Sequence, residues 1–144
     1  MKGLWIMKNF KWIVALMLAG LFVTSCLDDE PTLNVDYVYA PIDSIMIGEI
    51  HPAREVTEIR TYFTRNSECE AFFDYDYQIV GNERTVSIIV SDLQNENCLD
   101  ISEAASQTLQ FRPESAGDYT FRFWAGNDEN DEPIFIVQEI TIPE

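Results

Sequence analysis

The stretch 71–91, AFFDYDYQIVGNERTVSIIVS, leaves the chain the least freedom. Side chains alternate with period two on both sides of Gly81-Asn82, which is the period of a strand and not of a helix. In the first arm Phe73, Tyr75, Tyr77 and Ile79 share one face, and Phe72, Asp74, Asp76 and Gln78 share the other. In the second arm Val86, Ile88 and Val90 share a face. Gly accepts positive φ and Asn tolerates the left-handed region, so the pair suits a two-residue hairpin turn. That register sets Ile79 near Arg84 and Cys69 near Gln94, with Cys98 a few residues further on.

Other segments repeat the pattern. Leu33, Val35, Tyr37 and Tyr39 give a first strand, and Ile45 and Ile47 mark a second that ends before Gly48 and His51-Pro52. Residues 55–64 are rich in β-branched and aromatic side chains and give a third. Residues 107–112 give another. Tyr119, Phe121 and Phe123 share a face in the penultimate strand, and Ile134, Ile136, Ile140 and Ile142 share one in the last. Residues 92–106 are polar and read as irregular, with one helical turn at Ser102–Ser106. No segment carries a convincing helical period. Short strands separated by turn signals predict an all-β, antiparallel sandwich of about seven to eight strands over residues 33–144.

Residues 113–121 (PESAGDYTF) resemble the turn and corner tyrosine that enter the penultimate strand of immunoglobulin-like domains. The resemblance implies an immunoglobulin-like sandwich with Tyr119 at the corner. Phe121 stands where antibody domains place a cysteine, so the inter-sheet disulfide of that family is not implied.

The first 25 residues are of another kind. Lys2, Lys8 and Lys11 are their only charges, and the apolar run Trp12–Val23 is 12 residues long. That is too short to cross about 30 Å of hydrocarbon as a helix. A basic start, a short apolar core and a small-residue end describe a cleaved signal peptide. Translation from Met7 gives a more ordinary leader than translation from Met1. Leu21-Phe22-Val23-Thr24-Ser25-Cys26 resembles the lipobox of bacterial lipoproteins. The resemblance implies a diacylglycerol on Cys26, cleavage before it (1–25 removed), and residues 26–32 as an acidic tether. The other reading is an ordinary signal peptide that leaves Cys26 for a disulfide. Leu27 is not the aspartate that retains enterobacterial lipoproteins in the inner membrane. Asp28-Asp29-Glu30 resembles the acidic export tag of Bacteroidota surface lipoproteins, and its plainer reading is a solvated spacer. Leader and sandwich together resemble small single-domain lipoproteins of Bacteroidota. That implies a lipid-anchored outer-membrane protein, facing the surface or the periplasm, and brings no activity with it.

Charge narrows the function. Cleavage before Cys26 leaves 119 of the 144 residues, with six arginines, 25 acids and no lysine, a formal charge of −19. Phosphate backbones repel such a chain, which excludes nucleic acid as a partner. Anionic headgroups repel it too, so membrane attachment falls to acyl chains, at about 0.8 kcal/mol per buried CH₂. Cys69 and Cys98, the remaining cysteines, are expected to form a disulfide in an oxidising compartment.

Catalytic chemistry finds little support, and no catalytic residue is assigned. Without lysine there is no Schiff base, and His51 is the only imidazole. Asp74 and Asp76 lie two apart on one strand face, whereas a glycosidase pair must flank the sugar. A solvated face is the simpler reading, and a hydrolase is the rival function. No cofactor is expected, with calcium the one left open: Asp128, Asn130 and Glu132 concentrate oxygen ligands in the acidic loop 126–133, as Ca²⁺ prefers. Such loops also serve simply to stay solvated. If Tyr119, Phe121 and Phe123 face the core, then Arg122, Trp124 and Phe135 point outward as a patch, unless another segment covers them. Aromatic rings there suit an envelope protein or a glycan. The expected function is a non-enzymatic binding module, or alternatively an accessory glycan-binding lipoprotein of a polysaccharide uptake system.

Overall fold

The computed structural model describes residues 34–95 and 97–144. The expected signal peptide (1–25), the lipobox-like segment with Cys26 and the expected acidic tether (26–32) lie outside the described residues, as does Leu33. What is described is an all-β sandwich of β1 (Val35–Ala40), β2 (Ile42–Ile47), β3 (Thr57–Ser67), β4 (Glu70–Val80), β5 (Glu83–Leu93), β6 (Asp100–Phe111), β7 (Gly117–Asn127) and β8 (Pro133–Ile142). One sheet runs β2-β3-β6. The other runs β1-β5-β7-β8, with β4 also on β5.

β5 organises the larger sheet. Along one edge it pairs with β4 from Glu83 to Asp92. Its other edge is shared: Ile88–Leu93 pair with β1 and Glu83–Val86 with β7. The contact with β7 is parallel and every other pairing is antiparallel. Its Val86, Ile88 and Val90 are at most 1% exposed, which is why this strand must be central.

β1 and β2 are one extended run cut at Pro41. Proline has no N–H to continue the ladder, so the chain leaves β5 there and joins β3 in the facing sheet. Ala40 and Ile42 are buried on either side of the crossing. The first and second strands expected from the sequence are thus two halves of one sheet-switching strand.

The hairpin forms as the sequence predicts, with one correction. Gly81 takes φ 58° and Asn82 stays at negative φ, the II′ pattern. Ile79 faces Arg84. Phe72 then pairs with Val90 while Asp74 pairs with Ile89, so Phe73 is the extra residue of a β-bulge. The bulge reverses the alternation. Phe72, not Phe73, joins Tyr75 and Tyr77 against the core, and Phe73 is 55% exposed. It also moves Cys69 back by one position, so that its carbonyl accepts from the N–H of Leu93.

Residues 100–106 are strand, not an irregular stretch with a helical turn. Their pairing with β3 runs continuously from Phe111 to Glu103. β6 is an edge strand with a wet outer side, so its polar composition reflects solvation, and the ladder overrides propensity.

The core lies between the sheets. Phe111 meets Phe121 at 4.9 Å and 89° and Tyr119 at 5.1 Å and 72°. Phe121 and Phe123 are fully buried, as are Ile59, Val86 and Ile88. The corner expected at Tyr119 is present: its hydroxyl donates to the carbonyl of Ser115 at 2.9 Å. Cys69 and Cys98 form the expected disulfide, Cα–Cα 5.6 Å, beside the open end of the β4–β5 hairpin.

Two measurements check these supports. Replacing both cysteines with alanine lowers the unfolding free energy by about 3.5 kcal/mol, because the bridge closes a loop of 29-residue separation. Urea midpoints read this directly, and a loss below about 1 kcal/mol would show that other contacts hold that end. Tyr119→Phe removes the hydroxyl's bonds to the carbonyl and Oγ of Ser115 and keeps the ring, and should cost about 1 kcal/mol.

Candidate functional site

The outer face of the larger sheet collects rings from four strands. On β1 the odd residues point outward, and Tyr37 and Tyr39 are 58% and 55% exposed. Tyr37 packs against Phe73 of β4 with centroids 4.5 Å apart. Tyr39 meets Trp124 of β7 edge-on at 5.9 Å. The Arg122 guanidinium lies over the ring of Phe135 on β8 at 4.4 Å. Its Nη1 is also 3.8 Å from Glu83 on β5, and its Nε is buried without a hydrogen-bond partner among the described residues. Val137, opposite Arg122, is 59% exposed.

Polar groups fix the rings. The Tyr39 hydroxyl donates to Asp76 Oδ2 at 3.0 Å. This bond and the charge beside it push the Tyr39 phenol above its ordinary pKa. Trp124 Nε1 donates to Asn127 Oδ1 at 3.1 Å. The face is therefore a set of paired rings with defined orientations.

Arg122, Trp124 and Phe135 do come together, as the sequence predicts; Trp124 and Phe135 are cross-strand neighbours. All three are partly exposed. β1 lies beside β7 along one edge of β5 and widens the patch through Tyr39. Sequence reasoning missed Tyr37, Tyr39 and Phe73. The first two were legible as an in-phase pair in β1. Phe73 was not, because nothing local announces the bulge.

Asp74 and Asp76 share the outward face. Asp76 is occupied by Tyr39, and Asp74 Oδ1 accepts from the backbone of Tyr75 at 2.7 Å. In the acidic loop the oxygens do not converge, and no group of three or more His, Cys, Asp or Glu side chains among the described residues is placed to hold a metal ion. Asp128 Oδ1 turns inward to the N–H groups of Asn130 (2.7 Å) and Glu132 (3.0 Å). Asn127 bonds Asp131 at 2.8 Å, and Asp131 takes φ 64°. The Asp128 carboxylate thus holds the turn through the backbone of Asn130 and Glu132. His51 contacts Glu55 at 3.8 Å in an exposed position.

Compared with known proteins, the chain has no significant match to a family model, a curated protein or a solved structure.

The backbone donors of Glu132 and Asn130 hold the Asp128 carboxyl below the usual aspartate range. The support it gives the loop is complete above the unfolded aspartate value and is lost as pH falls through the lower folded value. An NMR acid titration should find Asp128 with a depressed midpoint, and the Asn130 and Glu132 amides should move with it. An ordinary midpoint would contradict the hydrogen-bonded loop. Asp128→Ala should lower the melting temperature equally with and without Ca²⁺. A calcium-dependent rise that the substitution abolishes would instead return the loop to metal binding.

Proposed function

We propose that the chain is a lipid-anchored outer-membrane lipoprotein that works as a non-enzymatic binding module, displayed at the cell surface. The observation that carries this reading is the aromatic outer face. Tyr37, Tyr39 and Phe73 are more than half exposed on it, and exposed apolar patches mark interaction surfaces. Tyr, Trp and Arg are also the side chains that dominate binding energy at interfaces. The sandwich is a rigid support for such a face, and the leader supplies the means of attachment.

An envelope protein is the partner class first in line. A glycan is the second reading, favoured by the way the face mixes ring planes with hydrogen-bonding groups at Tyr39, Asp76 and Arg122. On that reading the chain serves beside a polysaccharide importer.

The two halves of the proposal are tested separately. Cys26→Ala should abolish incorporation of labelled palmitate and move the chain out of the membrane fraction; retained acylation would refute the anchor. Protease treatment of intact cells should digest the domain, whereas protection would turn it to the periplasm. For binding, Trp124→Ala and Tyr39→Ala should each weaken partner capture by about 2 kcal/mol, roughly thirtyfold. Crosslinking in cells separates the partner classes from glycan-array binding, and silence in both would remove the binding module itself.

A further inference from the structure

The sandwich has a second unusual place, at the end opposite the disulfide. Arg84 is in phase with Val86, Ile88 and Val90, so a charged side chain enters the space between the sheets. It is only 9% exposed. Its guanidinium carbon is 5.1 Å from the ring centroid of Tyr119 and 5.9 Å from that of Phe111. Nη1 donates to the carbonyls of Gly81 (2.7 Å) and Glu83 (2.9 Å). A guanidinium carries five N–H donors, so these two bonds leave the rest of the fork for another acceptor. Among the described residues no carboxylate lies within ion-pair distance of it, although the chain contains 25 acids. Charges this buried are normally paired.

The guanidinium, without a carboxylate partner among the described residues, opens on a cavity of about 560 Å³, a size suited to a small molecule. Tyr77, Phe111 and Tyr119 line it, and the exposed Arg112 is among the residues of its wall. Glu114 is the one carboxylate on its wall, and it is exposed. Both sides are held in place: the Tyr119 hydroxyl ties the β6–β7 loop at Ser115, and the Gly81 turn receives the Arg84 bond. Burial raises the Tyr77 phenol above its ordinary pKa, and the Arg84 guanidinium partly opposes that rise. The phenol oxygen thus lies beside the cation and accepts from it.

We propose that this cavity binds a small organic carboxylate, with Arg84 as the buried anion-binding group, Arg112 as a second contact and the three rings as the wall for its apolar body. Carboxylate matches the planar fork of arginine in a bidentate way. The strong negative charge of the chain repels multiply charged anions such as phosphate more than a singly charged one. A bare anion would also leave the ring wall unused. The site is separate from the aromatic sheet face and does not depend on the function proposed for it.

Benzoate is the probe, with benzyl alcohol as its neutral counterpart and inorganic phosphate as the bare anion. Each is titrated into the full chain in a neutral detergent by calorimetry and by NMR of the arginine side chains. Saturable benzoate binding is expected, with shifts at Arg84 Nε and Tyr77, while benzyl alcohol and phosphate bind at least about tenfold more weakly. Arg112→Gln should weaken benzoate roughly tenfold, and Arg84→Gln should abolish its binding. If Arg84→Gln does not fold, the exposed Arg112→Gln decides the matter alone. Trp124→Ala should leave benzoate affinity unchanged, which separates a failure here from a failure of the sheet face. Equal binding of benzoate and benzyl alcohol, phosphate binding as tightly as benzoate, or benzoate binding indifferent to Arg112→Gln would each overturn the proposal.

Discussion

β5 has two edges and three partners, and the larger sheet is arranged around that mismatch. β4 takes the whole of one edge, so β1 and β7 must divide the other. The division works only because β1 is short. Pro41 removes the donor that would carry β1 further along β5, and the chain crosses to β3 just where β7 begins to pair. One imino acid therefore sets the length of β1, makes room for β7 and links the two sheets covalently. The sharing of that edge brings Tyr39 of β1 within reach of Trp124 of β7, and the aromatic face is a consequence of the topology.

The bulge at Phe73 has a comparable reach. A regular β4 would have placed Phe73 between the sheets and Phe72 in solvent. The extra residue exchanges them, so Phe72 packs edge-on against Tyr75 at 5.0 Å and Phe73 is free to meet Tyr37. Asp74 and Asp76 stay outward on the hairpin arm that forms an edge of the sheet, where charge discourages pairing with another chain.

Legibility in the sequence followed how local each cause is. The hairpin, the disulfide and the core faces of β5 and β7 depend on alternation, turn chemistry and cysteine count, and they read out directly, whereas the corner at Tyr119 was expected from the resemblance of residues 113–121 to immunoglobulin-like domains. The bulge and the strand character of 100–106 depend on what β5 and β3 offer across the gap, which no local window contains. Arg122, Trp124 and Phe135 were readable because β7 and β8 form a regular hairpin. Phe73 joined the face only through the bulge, which sets it against Tyr37. Arg84 is a different case: its phase with Val86 and Ile88 was visible, but a charge at a core position looks like the strand's end until the rings of Tyr119 and Phe111 are seen beneath it.

The few cations show how charge is used in so acidic a chain. Arg65 bonds the carbonyls of Glu70 and Glu68, at 2.8 and 2.9 Å, and pairs with Glu103 at 3.4 Å, which braces the β3–β4 turn next to the disulfide. Arg122 lies on the sheet face and Arg84 at the opposite end of the sandwich. Arg65 is matched by backbone acceptors on the turn it braces. Arg84 also gives two bonds to carbonyls, and Arg122 meets Glu83 at 3.8 Å, but both of these guanidinium groups lie over aromatic rings as well. The acid excess acts from outside. Like charges on every copy oppose association of the chain with itself.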